Sequence, residues 1–102
     1  MSTGGVRGAG VVITITRDGY PGWVPHRYED GTYCLHTMRT SDPIHDKTNA
    51  IRVHTLEEVA ELLRTGKYTL RMFSGPSSNE QSLIAPSRIR INGEPIVPNQ
   101  DL

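Results

Sequence analysis

Short stretches in which apolar and polar residues alternate recur along this chain, and one stretch alone keeps a helical spacing. Val11 to Thr16 is β-branched throughout, which predicts a strand. Val11, Ile13 and Ile15 fall on one face and Val12, Thr14 and Thr16 on the other. The second face is half polar, so the sheet is expected to meet solvent on one side. Asp18-Gly19-Tyr20-Pro21-Gly22 is a turn cluster. Trp23–Tyr28 and Thr32–Thr37 then predict a hairpin around Asp30-Gly31 with a type I′ turn. That pairing sets Tyr28 opposite Tyr33, His26 opposite Leu35 and Arg27 opposite Cys34. Pro25 has no amide to donate, so its strand is expected at an edge or with a bulge.

Residues 38–50 are polar with one proline and predict a long loop, followed by a short strand at Ile51–His54. Leu56, Val59, Ala60 and Leu63 recur at i, i+3, i+4 and i+7, the stripe of a helix over 55–65. Thr55 and Glu58 have the spacing of a capping box, and Gly66 supplies a left-handed stop. Tyr68–Phe73 alternates again, with Leu70 and Met72 on one face and Thr69, Arg71 and Phe73 on the other. Ser74–Ser82 predicts a loop. Leu83–Ala85 and Ser87–Ile91 are strand material broken by Pro86, and Asn92-Gly93 is a second type I′ signal. Across that turn Ile89 is expected opposite Ile96, and Arg88 opposite Val97.

The order predicts an α+β fold: one two-layer domain over 10–97, with the helix packed on a mostly antiparallel sheet. About five to seven short strands are expected, three before the helix region and two to four after it. Residues 1–9 predict a flexible leader and 98–102 a frayed end.

The chain has 102 residues, which fits one domain, and 23 of them are Leu, Ile, Val or Phe. Eleven basic and eleven acidic side chains cancel, which argues against a nucleic-acid binder working by bulk charge and against a polybasic membrane anchor. The cancellation is uneven: residues 55–61 carry three acidic groups, whereas 62–93 carry five basic groups against Glu80. Nine of the eleven basic residues are Arg. A single cysteine, Cys34, excludes an internal disulfide framework and any zinc site with two thiolates. With no apolar leader run, a cytoplasmic location and no membrane partner are expected.

Four constellations bear on chemistry. Arg88 and Arg90 would share a strand face, and Arg71 would join them if the strands pair. Such a surface suits phosphate, because a guanidinium fork donates two parallel hydrogen bonds, while Phe73 and Tyr68 offer stacking for a base. The competing reading is a solvated face partly neutralised by Glu94. Cys34 and His36 fall on one strand face, with His45, Asp46 and His54 near enough in sequence to complete a small-ligand or metal site, although no metal motif matches. The same Cys34 with a histidine, or Ser74 or Ser77, is the minimum for nucleophilic catalysis, whereas a plain buried cysteine needs no function. Gly4–Gly10 precedes a strand rather than opening a helix, so it is no phosphate loop.

The fourth is a set of aromatic residues at turns: Tyr20, Trp23, Tyr28 and Tyr33, types that protein interfaces favour. Trp23 is equally suited to anchoring a core. Asp18-Gly19-Tyr20-Pro21-Gly22-Trp23-Val24-Pro25 resembles a turn of bacterial SH3-like domains over eight residues. The remaining chain, with its helix, departs from that pattern, so the resemblance implies turn chemistry alone.

The expected function is therefore a small non-enzymatic protein-binding or regulatory domain, acting through a sheet face, an edge strand and the aromatic turn. Its partner would be a protein, a peptide or a second copy of the chain. The alternatives are a nucleic-acid-binding module using Arg71, Arg88, Arg90 and Phe73, and a small-ligand or metal site near Cys34 and His36. No catalytic residue, metal ligand or cofactor is assigned.

Overall fold

The computed structural model describes residues 12–38, 44, 47–75 and 77–96. Eight short strands, one helix and one 3-10 turn follow one another: β1 (Ile15–Arg17), β2 (Val24–Pro25), β3 (Tyr33–Thr37), β4 (Ala50–Val53), α1 (Leu56–Arg64), β5 (Tyr68–Phe73), β6 (Gln81–Ile84), the turn Pro86–Arg88, β7 (Ile89–Ile91) and β8 (Glu94–Pro95). The α+β class is as expected. The strands number eight rather than five to seven, and they form two antiparallel sheets.

The larger sheet is built around β5. One edge of β5 pairs with β6, from Leu70 opposite Ile84 to Phe73 opposite Gln81. Its other edge is divided: Tyr68 to Leu70 pair with β3, and Met72 and Phe73 pair with β2. β3 in turn carries β4, with Tyr33 opposite Val53 and Cys34 opposite Arg52. The smaller sheet has the order β1-β7-β8.

α1 lays Val59, Ala60 and Leu63 into the core, and Thr55 caps it by accepting from the Glu58 amide at 3.1 Å. Gly66 ends it at φ +76°, its amide donating to Leu63. The core joins both sheets to this helix: Ile15, Ile89 and Ile91 from the small sheet meet Leu35, Leu70, Met72 and Ile84 from the large one. Ile13 packs at its margin, Val12 faces out, and Val11 lies outside the described residues. Among the described residues no helix is long and apolar enough to cross a membrane.

Two turns decide what faces what. Asn92 and Gly93 both have positive φ, +54° and +85°, as a type I′ turn requires. Ile91 then pairs with Glu94 and Arg90 with Pro95, the expected register. The first hairpin differs. Gly31 alone of its turn residues has positive φ, +87°. Its amide donates to Tyr28 and the Tyr28 amide donates to Thr32, so the loop is the three residues Glu29-Asp30-Gly31. Asp30 fixes it by accepting from the Thr32 amide at 2.9 Å and hydroxyl at 2.6 Å. The extra residue slips the register by one, so Arg27 rather than Tyr28 lies opposite Tyr33. Only Val24 and Pro25 of the expected Trp23–Tyr28 strand form a ladder, and they pair with β5, leaving Pro25 on an edge strand.

Candidate functional site

β5 alternates across the large sheet. Tyr68, Leu70 and Met72 meet the core, while Thr69, Arg71 and Phe73 take the opposite face. β3 alternates with it: Tyr33 and Leu35 face the core, and Cys34 and His36 face away. This outer face is polar, yet Cys34, His36, Thr69 and Arg71 are all buried. Ile44 reaches this face, where its carbonyl accepts a hydrogen bond from Arg71 Nη2.

The one-residue slip brings Tyr28 to this same face. There it lines a pocket of about 410 Å³ with Cys34, Lys47, Ala50, Ile51, Arg52 and Arg71. Clefts that hold small molecules commonly measure about 300–1,000 Å³. Arg52 lies across the strand pair from Cys34, with its guanidinium 3.8 Å from the Tyr28 ring centre. Its Nη1 also donates to Asp30 at 3.0 Å and to Thr32 at 3.2 Å. Burial, and then a hydrogen bond with the Cys34 thiol, push the Tyr28 hydroxyl pKa up. His26 stacks edge-on against Tyr28 at 4.6 Å and Phe73 at 4.8 Å. Burial, followed by the charges of Arg71 and Arg52, pushes the His26 pKa down.

Cys34 and His36 come together as expected, with Sγ 3.3 Å from Nε2. The remaining metal candidates do not converge on them. His54 is exposed, and among the described residues no three His, Cys, Asp or Glu side chains form a metal-sized group. His45 and Asp46 lie outside the described residues.

The arginine surface is not assembled. β7 pairs with β1 rather than β5, so Arg90 and Arg71 belong to different sheets. Arg90 donates to Asp18 at 2.9 Å and to the Gly93 carbonyl at 2.9 Å, and Asp18 rather than Glu94 neutralises it. Arg88 lies in the 3-10 turn that Pro86 starts, not on a strand. Val97, its expected partner, is outside the described residues. Phe73 and Tyr68 occupy opposite faces, so they make no joint stacking platform.

The aromatic set also divides. Trp23 is a core residue, 7% exposed. Tyr20 stands edge-on to it at 6.1 Å, and the Arg17 guanidinium lies over both rings, at 4.1 Å from Tyr20 and 4.6 Å from Trp23. Tyr33 packs against the core and Tyr28 lines the pocket, so these two do not pair.

Sequence reasoning missed Lys47 and Arg52. Arg52 was findable from alternation: with Val53 turned to the core, Arg52 must turn to the face of Cys34 once β3 and β4 pair. None of the family models, curated proteins or solved structures compared with the chain matches it.

Proposed function

We propose that the protein binds a small anionic ligand in the pocket between Tyr28, Cys34 and Arg71. One observation carries this reading. Arg71 is 8% exposed, and its buried Nε has no hydrogen-bond partner. Among the described residues the ion pairs are Arg52 with Asp30 and Arg90 with Asp18, and no carboxylate pairs with Arg71. A guanidinium does not escape burial by losing its proton, and an uncompensated buried charge costs several kcal/mol. Lys47 and Arg52 add positive charge at the same pocket. An anion in the pocket would offset the Arg71 charge, and a carboxylate or phosphate matches the planar fork.

Calorimetry and thermal unfolding with inorganic phosphate, and separately with a small dicarboxylate, test the reading. Saturable binding that raises Tm with concentration is expected for at least one of them. Arg71→Met should abolish the effect while leaving the ligand-free protein as stable or more so, since it removes the buried charge. Indifference of the wild type to both anions would sink the reading.

Contact with a protein partner, including a second copy of the chain, is the second reading, favoured by Tyr20. It is 43% exposed and held by Arg17 and Trp23 beneath it. Sedimentation over a range of concentrations, on wild type and Tyr20→Ser, tests the self-association form. A monomer throughout removes that form.

A further inference from the structure

We propose that Cys34 is an oxidant-reactive thiol, converted to a sulfenate by a hydroperoxide that enters the pocket. The part played by Arg71 rests on the anion-binding reading above. A cysteine retained only for packing would sit among apolar side chains. Cys34 instead lines the cavity beside Tyr28, lies 3.3 Å from His36 Nε2 and shares the pocket with Arg52 and Arg71. The thiolate is the nucleophilic form, and a histidine within hydrogen-bond reach can generate it by taking the proton. Those neighbours supply what reaction with a peroxide requires: His36 to accept and return a proton, and the positive charge of Arg71 in the same pocket.

The step balances within the site. His36 Nε2 takes the thiol proton, and the sulfur attacks one peroxide oxygen. The S–O bond forms as the O–O bond breaks. The electron pair goes to the departing oxygen, which recovers the proton from His36 and leaves as water or an alcohol. Sulfur loses two electrons and the peroxide gains them. The sulfenic acid then releases its proton to solvent, and the sulfenate charge meets the Arg71 guanidinium. Cys34 is the sole cysteine of the sequence, so no intrachain disulfide can consume the product. A low-molecular-weight thiol would regenerate it, first displacing water to give a mixed disulfide and then exchanging with a second thiol.

The test uses the full chain, hydrogen peroxide, dimedone to trap sulfenic acid, and intact-mass detection. Wild type should label at Cys34 about tenfold or more faster when native than when unfolded in urea, and Cys34→Ser should not label. Arg71→Met and His36→Gln should each slow native labelling about tenfold, with unfolded rates unchanged. The native-to-unfolded ratio of wild type stands even if His36→Gln does not fold. A native rate equal to or below the unfolded one overturns the proposal. If phosphate binds and native Cys34 is nonetheless inert, the thiol chemistry falls and the anion site survives. If Cys34 reacts rapidly while phosphate neither binds nor slows it, the reactive thiol stands and the anion reading falls.

Discussion

The Arg52 guanidinium lies 3.8 Å from the Tyr28 ring centre while its Nη1 bonds Asp30 at 3.0 Å. One side chain on the edge strand β4 thus covers the aromatic wall of the pocket and ties down the hairpin loop. The ion pair is exposed, with both side chains more than half accessible, so its contribution to stability is small. Arg52→Lys keeps the charge and gives up the stacked plane and the fork. It should lower stability by about 0.5–1 kcal/mol in urea unfolding and weaken anion binding several-fold. Arg52→Ala should weaken binding further at a similar stability cost. Equal affinity of both variants and wild type would remove Arg52 from the site.

Two groups here give the fold a dependence on acid. Hydrogen bonds from Thr32, chiefly from its hydroxyl, hold the Asp30 carboxyl below its usual 3.8. A depressed carboxyl contributes stability that is present above the unfolded value and lost as pH falls through the folded one. Asp30→Asn should therefore flatten the stability profile below about pH 4 and leave the slope between pH 5 and 7 unaltered.

His26 acts in a different window. Its folded pKa lies below 6.5, through burial first and then Arg71 and Arg52. The unfolded chain then binds more protons as pH drops below 6.5, so stability is full above that value and declines beneath it. His26→Gln should remove this slope. An anion beside Arg71 offsets one of the depressing charges, so phosphate should raise the His26 pKa in an NMR titration. A pKa indifferent to phosphate would count against binding next to Arg71.

The helix, its Thr55 cap, the alternation of β5 and the Asn92-Gly93 turn were all legible in the sequence, because each depends on neighbours within a few residues. Pairing between strands was not. Nothing local tells β7 to pair with β1 rather than β5, and that choice separates Arg90 from Arg71. The first hairpin failed on one residue. Asp30-Gly31 suits a two-residue turn, but Asp30 captures the Thr32 amide and hydroxyl, and Gly31 takes the single left-handed position of a three-residue loop. Cys34 and His36 were found because i and i+2 on a strand need no topology. Arg52 was missed because its place depends on β4 lying against β3.

Asn92 offers a separable test of how the small sheet is held. Its Oδ1 accepts from the Thr14 amide at 2.8 Å, and its amide donates to the Thr14 carbonyl at 2.8 Å. Oδ1 also accepts from the Thr14 hydroxyl at 3.3 Å, so Asn92→Gly keeps the left-handed backbone and loses both side-chain bonds, which should cost about 1 kcal/mol. Asn92→Ala loses the same bonds and strains a φ of +54°, adding about 1–2 kcal/mol. Equal costs for the two variants in urea unfolding would show that the turn is not strained by a Cβ.

Arg88 and Arg90 decide between a pocket and a charged surface. A nucleic-acid face built from three arginines predicts that each contributes comparably, with binding that weakens steeply as salt rises. A pocket around Arg71 predicts inequality. Arg88 is exposed on the 3-10 turn, and the Arg90 fork is already taken by Asp18 and the Gly93 carbonyl. The double variant Arg88→Ala, Arg90→Ala should therefore bind phosphate within about twofold of wild type, since neither residue touches the site, and lose about 1 kcal/mol or less from the exposed Arg90–Asp18 pair. Arg71→Met in the same assay should lose binding altogether. Comparable losses in the two variants would place the anion on the strand surface instead, with Arg71 acting only through long-range charge.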